Sequence, residues 1–310
     1  MSERAEAPVV VRLTGQLGNQ LFQLAAGRTL ADRLGAPLRF EPARRSAPLR
    51  RCVGDACQLA TAAELRRCGV YSMRYTALPA LAGRRLRARS RALRGAAPRF
   101  FEPPALGPYD PAFERLVAPS YLEGYFQLPQ YFEAGLDPVR ARVIDHLHIG
   151  PRWAATGSGD APVVGVHFRR GDFVGLGWAL GLDYYDHALA VVRERSPEAH
   201  IRVFSDDRVF AALVEEHLVG RGFTMAPPAP ELAAAVPGHD DPTIATLVAM
   251  ARCDHLIMAN STFSWWAGAI GDHLDGSIDR LVICPSAWHP DRGRDELPRS
   301  EWLVIDNHDF

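Results

Sequence analysis

The chain has 310 residues and no lysine; all 35 of its basic residues are arginine. That bias is as readily a matter of genome composition as of function, but it makes every side-chain cation other than histidine a planar guanidinium. Such a group meets carboxylate or phosphate oxygens two at a time. No Walker A loop is present, which argues against a P-loop NTPase. No apolar run approaches the roughly 18–20 residues of a membrane span. The opening Met1-Ser2-Glu3-Arg4-Ala5-Glu6 lacks the basic-then-apolar pattern of a signal peptide, so the expected location is cytoplasmic. The five cysteines (Cys52, Cys57, Cys68, Cys253, Cys284) are odd in number and show no C-x-x-C spacing. This argues against a disulfide framework or a zinc site and for reduced, structural thiols. Internal repeats are absent too.

What is present is an ordinary globular composition, 47% hydrophobic and 23% charged, long enough for two domains. The net charge of −1 hides an asymmetry. Residues 1–150 carry 22 arginines against 13 acids, a net of +9, and residues 151–310 carry 13 against 23, a net of −10. Between Arg28 and Arg99 alone, 17 arginines face 4 acids. A basic half is drawn to anionic partners or an anionic membrane surface. The run Arg84 to Arg94 reads equally well as a solvated helical face.

Val9 to Leu13 reads as a strand, followed by a loop to Gly18 and by apolar residues at helical spacing from Leu17 to Leu34, which Gly35 and Pro37 close. Asn19 stands at the expected N-cap, and Pro37 to Phe40 forms the next strand. The loop Gly15-x-x-Gly18 is not the dinucleotide fingerprint. Residues 41–110 are rich in arginine, alanine and proline, with helices expected near Ala62–Cys68 and Leu81–Leu93. Ser120–Gln127 reads as a strand and Val139–Leu147 as a helix. Gly150-Pro151 and residues 156–160 look like a linker, dividing the chain into domains 1–155 and 156–310. Beyond it, strands at Val163, His200–Phe204, His255–Met258 and Leu281–Cys284 alternate with helices at Asp183–Arg195, Asp207–Val219, Pro242–Arg252 and Ser264–Leu274, with a loop at Pro227–Pro237. The class is α/β with a mostly parallel, doubly wound sheet.

Three strand ends in this half carry chemistry. Val163–Val166 runs into His167-Phe168-Arg169-Arg170-Gly171-Asp172. Ile201–Phe204 ends in Ser205-Asp206-Asp207, and Leu256–Met258 in Asn260-Ser261-Thr262 at a helix start. Each alone has a plain structural reading: an arginine paired with Asp172, carboxylates or hydroxyls as helix caps, Trp265 and Trp266 as packing. In one parallel sheet, however, all three converge on the carboxyl edge, where open α/β sheets bind ligands. Guanidiniums, a helix N-terminus and a carboxylate suit a nucleoside diphosphate. No Asp-x-Asp lies near the phosphate loops, which favours a diphosphate held by arginine over one bridged by a metal.

The stretches taken in order resemble the α-1,2-fucosyltransferase family of bacteria and animals. They are Gly18-Asn19-Gln20-Leu21-Phe22-Gln23, then Gly124-Tyr125-Phe126-Gln127 with Tyr131-Phe132, His167-x-Arg169-Arg170-Gly171-Asp172 and Phe204-Ser205-Asp206-Asp207. Asn260-Ser261-Thr262-Phe263-Ser264-Trp265-Trp266 and Trp288 after Pro285 complete the set. The resemblance implies a GT-B-like fold, two Rossmann-like domains facing across a cleft, with an N-terminal acceptor-side domain and a C-terminal domain that binds GDP-β-L-fucose. It implies transfer with inversion to O2 of a terminal galactose or similar hexose, without a cofactor or metal. Arg169 is expected at the β-phosphate, Asn19 near fucose and phosphate with Gly18 and Gln20 beside it, and His167 and Arg170 at the nucleotide pocket. Asp206 is expected near guanine or ribose, and Asn260, Ser261, Thr262 and Phe263 along the diphosphate. Asp172 is a candidate base, or an orienting partner for an arginine.

Three residues depart from the family pattern: Gln16 for a glycine, Leu24 for a tyrosine and Phe173 for a tyrosine. The acceptor stays open, because residues 41–110 match no motif. Expected partners are GDP-fucose and a glycan acceptor such as a lipid-linked surface-polysaccharide precursor, with peripheral contact to an anionic membrane at its inner face and no nucleic acid. The rivals are a transferase with another donor or acceptor position, and a non-catalytic module that binds nucleotide sugar or glycan.

Overall fold

A computed structural model describes residues 7–41, 47–68, 100–104, 107–156, 161–229, 241–276, 279–289 and 296–307. The chain divides into two compact units, Met1–Val139 and Arg140–Phe310. The helix expected at Leu81–Leu93, the arginine run from Arg84, residues 157–160 of the expected linker and most of the Pro227–Pro237 loop lie outside the described residues.

In the first unit, β1 (Val9–Arg12), β2 (Leu38–Glu41), β3 (Phe100–Phe101) and β4 (Ser120–Leu122) form a parallel sheet in the order β2-β1-β4-β3. Val9, Val10 and Val11 are wholly buried, which is why β1 reads as a continuous apolar run rather than an alternation. Helix α1 (Leu17–Leu34) packs so closely on β1 that a Cβ on Gly27 would lie 2.6 Å from a Val11 methyl. Its end is as expected: Gly35 takes the left-handed conformation and donates its N–H to the carbonyls of Ala31 and Asp32. Its start is not. The cap residue is Gln16, which gives no side-chain hydrogen bond, and Asn19 lies inside the first turn.

Short helices α2 (Ala47–Val53) and α3 (Ala62–Arg67) follow β2, and a Thr61/Glu64 capping box opens α3. Strand β4 stops at Leu122, short of the expected Gln127, and Gly124 (φ 158°) and Phe126 (φ 55°) follow with positive φ. Helix α4 (Pro129–Leu147) starts ten residues before the expected Val139 and carries Pro138 inside it.

The second unit is a five-stranded parallel sheet, β6-β5-β7-β8-β9, from β5 (Val163–Phe168), β6 (His200–Ser205), β7 (His255–Ile257), β8 (Val282–Pro285) and β9 (Leu303–Ile305). Its helices are α5 (Gly171–Leu176), α6 (Leu182–Arg195), α7 (Arg208–Gly220), α8 (Pro242–Ala251) and α9 (Thr262–Gly271). Val164, Val166, Tyr184, Ile201, Ile257 and Ile283 are fully buried in the core under the sheet. Trp265 and Trp266 are packing residues, 1% and 0% exposed, and the Trp265 indole donates to the Leu297 carbonyl at 2.8 Å. The α/β class with parallel sheets is as the sequence implies.

Candidate functional site

From β5 the chain moves to β6 on one side; β7 and then β8 lie on the other. The gap between the carboxyl ends of β5 and β7 is thus a topological switch point, where an open sheet leaves a crevice for a ligand. The register pairs Phe168 with Ser205 and Val166 with Ile257. Segments 169–172, 206–207 and 258–263 therefore leave neighbouring strands on the same edge.

Arg169 is held from two sides. Its Nη2 donates to Asp172 Oδ1 at 2.5 Å, its Nη1 pairs with Asp206 Oδ2 at 2.6 Å, and the Phe173 ring centroid lies 5.2 Å from the guanidinium carbon. The other Asp206 oxygen accepts from the backbone N–H groups of Arg170 (2.8 Å) and Gly171 (3.2 Å). A Cβ on Gly171 would stand 2.5 Å from Asp206 Oδ2, so glycine is required for this approach. The two adjacent aspartates have separate tasks: Asp207 caps α7 through the Phe210 N–H at 3.0 Å, and Asp206 binds the arginine loop. Arg170 lies 4.2 Å from the Phe210 ring centroid, and its buried Nε has no hydrogen-bond partner.

His167 is 6% exposed, and burial lowers its pKa to about 4, so the ring is neutral near pH 7. Its Nδ1 is buried without a partner, and its ring centroid lies 6.2 Å from that of Phe263. Asn260 donates to the carbonyls of Trp178 (2.9 Å) and Trp288 (3.4 Å), tying together the turns after α5, β7 and β8; its Oδ1 is also buried and unpartnered. Ser261 caps α9 by accepting the Phe263 N–H at 3.3 Å, and Thr262 opens the helix. The start of α9, the Arg169 guanidinium and two buried atoms without partners, His167 Nδ1 and Asn260 Oδ1, belong to one sheet edge, a combination of the kind that suits an anion.

The first unit repeats the logic at its own switch point, between β1 and β4. Gln127 Nε2 donates to Asn19 Oδ1 at 2.9 Å. Gln20, fully buried, donates to the Gly15 carbonyl at 3.1 Å, and Gly18 is buried in the first turn of α1. Gln23, also fully buried, donates to Thr14 Oγ1 (2.8 Å) and the Gly124 carbonyl (2.9 Å) and accepts the Thr14 N–H (3.0 Å). The motif Gly18–Gln23 thus fastens the loop after β1 to the loop after β4. Gly15, at φ 74° with a would-be Cβ 2.6 Å from Asn19 Nδ2, needs to be glycine. Gln16, at φ −91° and ψ 177°, does not, which explains why this departure from the family pattern is tolerated.

Sequence reasoning missed three features. Trp178 stands between Phe173 and His289, with ring centroids at 5.6 and 4.5 Å; it follows a one-and-a-half-turn helix too short to give a periodicity. Arg12, Glu41 and Glu123 meet at the carboxyl edge of the first sheet, Arg12 Nη1 bonding Glu123 Oε1 at 3.0 Å, with Tyr121 on Glu41. Burial, the largest cause, raises the Glu41 pKa. An open cavity of about 780 Å³, lined in part by Arg50, Arg51, Asp55, Gln58 and Leu59, lies in the first unit and contains none of the motif residues.

The sequence profile of glycosyl transferase family 11 matches residues 113–302. The O-antigen biosynthesis glycosyltransferase WbnK of Escherichia coli is 27% identical over 157 residues, 47% of this chain and 45% of that protein, so the chain matches less than half the length of this curated relative. A mutant of Arabidopsis thaliana FUT1 solved with GDP aligns over 96% of this chain and 76% of its own, at 12% identity and a TM-score of 0.52, which shows the shared GT-B-like fold of two Rossmann-like domains. The fucosyltransferase NodZ from Bradyrhizobium aligns over 85% of this chain and 93% of its own, at 15% identity and a TM-score of 0.43. The profile match spans more than half of the chain, and the chain belongs to glycosyl transferase family 11.

Proposed function

We propose that the protein transfers L-fucose from GDP-β-L-fucose to O2 of a terminal galactose, or a similar hexose, on a surface-glycan precursor. The observation that carries the reading is Arg169, clamped at the end of β5 beside the start of α9, with the unpartnered His167 Nδ1 and Asn260 Oδ1 nearby in the fold. The acceptor hydroxyl attacks fucose C1 opposite GDP. A new C1–O bond forms as the bond to the β-phosphate oxygen breaks, and configuration inverts. Arg169 stabilises the charge that gathers on the departing phosphate. Ser261, Thr262 and Phe263 line the diphosphate and His167 and Arg170 shape the nucleotide pocket; the family resemblance assigns Asn19, with Gly18 and Gln20, to fucose. The acceptor proton goes to a carboxylate or, in a loose transition state, to a donor phosphate oxygen.

No metal is required in this scheme, since fixed cations and a helix N-terminus serve the leaving group. The protein works in the cytoplasm, at the inner membrane face when its acceptor is lipid-linked. No described helix is long and apolar enough to cross a membrane. The relative named for O-antigen biosynthesis favours such an acceptor, and the basic first half suits its pyrophosphate.

The test is GDP release from GDP-fucose in EDTA, with and without lactose. Acceptor-dependent release followed by an α-1,2 linkage in the product NMR spectrum supports the reading. Another linkage overturns the acceptor position. Absence of both release and GDP-fucose binding overturns the donor. Binding without turnover on a panel of galactosides favours a non-catalytic module.

A further inference from the structure

Arg169 is the cation assigned to the donor phosphate, yet both of its terminal nitrogens are already engaged, Nη1 by Asp206 and Nη2 by Asp172. Each terminal nitrogen keeps a second N–H, but a phosphate that comes to either one meets a carboxylate already bonded there. The two are not equivalent. Asp206 is 29% exposed at its side chain and is held by two backbone N–H groups as well as by the arginine. Asp172 is 57% exposed at its side chain, sits in the first turn of the six-residue α5, and among the described residues has Arg169 as its hydrogen-bonding partner. An exposed ion pair is weak and quickly exchanged, whereas one carboxylate fixed by three donors is not.

We infer that Asp172 is an internal stand-in for the donor's phosphate. It occupies Nη2 of Arg169 while the site is empty, gives way when the diphosphate enters, and returns to help displace GDP after transfer. Asp206 keeps hold of Nη1 throughout and sets the orientation of the guanidinium. Asp172 therefore opposes nucleotide binding, which is the reverse of what a substrate-holding or arginine-orienting residue does. It competes with the ligand both for a donor and by charge, since a carboxylate beside a diphosphate repels it. The inference rests on the assignment of Arg169 to the diphosphate.

The experiment is calorimetric titration of the full-length protein with GDP at low ionic strength, for wild type, Asp172→Asn and Asp172→Ala, alongside steady-state kinetics. Both variants should bind GDP about two- to fivefold more tightly than wild type, the scale of one exposed charge pair. The KM for donor should fall, and kcat should fall with it where GDP release limits turnover. Raising the salt concentration should shrink the difference between wild type and variants. Weaker or unchanged GDP binding in both variants, with wild type binding normally, overturns the stand-in role and leaves the donor assignment intact. Failure of the wild type to bind GDP overturns the donor assignment and this inference with it.

Discussion

Asp206 offers the sharpest test of how the site is built, because two roles for it lead to opposite results. The family resemblance puts it near the guanine or ribose, whereas the structure has it holding Arg169 at 2.6 Å and the N–H groups of Arg170 and Gly171 at 2.8 and 3.2 Å. The informative change is Asp206→Asn. The amide keeps an oxygen for the two backbone donors, so the fold should survive, but it turns an NH₂ or a weaker, neutral acceptor toward the guanidinium. A hydrogen bond to a charged group contributes about 1.5–3 kcal/mol, and losing it frees Arg169 from its place. Affinity for GDP should then fall on the order of 10- to 100-fold.

The assay compares GDP with inosine diphosphate, which lacks the exocyclic 2-amino group of guanine, and with inorganic pyrophosphate. A residue that holds the arginine affects all three ligands in parallel, because all three bring the same diphosphate. A residue that reads the base affects GDP alone. The arginine-holding account is refuted if wild type prefers GDP over inosine diphosphate by tenfold or more, Asp206→Asn abolishes the preference, and pyrophosphate binding is unchanged.

Three further outcomes are expected. A folded Arg169→Ala variant should lose about 10²–10³ in turnover, or roughly 3–4 kcal/mol, by analogy with removal of one preorganised oxyanion donor; a wild-type rate would remove Arg169 from the reaction. His167 stays neutral in the folded state down to a pKa of about 4, because burial disfavours its cation, while in the unfolded chain it has the ordinary value of 6.5. Between those values the unfolded chain takes up a proton that the folded chain does not. Stability should fall by on the order of 3 kcal/mol as pH drops through that window and level off below it, and urea titrations should show a smaller fall for His167→Gln than for wild type. Gln23→Ala strips a fully buried side chain of three hydrogen bonds and leaves the Thr14 N–H and Gly124 carbonyl to find other partners. It should cost about 2–4 kcal/mol in denaturant unfolding; a loss below about 1 kcal/mol would show that the two loops are fastened elsewhere.

The elements that could be read in advance are those whose burial is written into a single run. Strands β5 and β7 are covered on both faces, and the apolar runs Val163–Val166 and Leu256–Met258 say so. Gly35 marks the end of α1 because only a left-handed residue fits there. Other elements hide for identifiable reasons. Pro129, Gly135 and Pro138 disguise the first half of α4, although Pro129 is its tolerated first residue and Gly135 lies against the Ala25 carbonyl where a side chain would not fit. Strand β3 is two residues long and has no period to detect. At the site, residue types and the common sheet edge were legible, because parallel topology brings strand ends together whatever the loops do. The pairing of Arg169 with Asp206, across 37 positions, was not, since it depends on the register between β5 and β6 and on the missing side chain of Gly171. Asn19 looked like a helix cap because its type suits one; its place inside α1 is set by the loop that Gln20 and Gln23 hold.

All five cysteines are buried thiols, three in the first unit (Cys52, Cys57, Cys68) and two in the second (Cys253, Cys284). Burial pushes the thiols of Cys52 and Cys284 up to about 12 and that of Cys57 up to about 11, so the folded protein presents almost no thiolate to solvent. The chain therefore carries its own stopwatch. An alkylating reagent can react only when a unit opens, and peptide mapping of the tagged cysteines would time the opening of each half separately, without a label having been added to either.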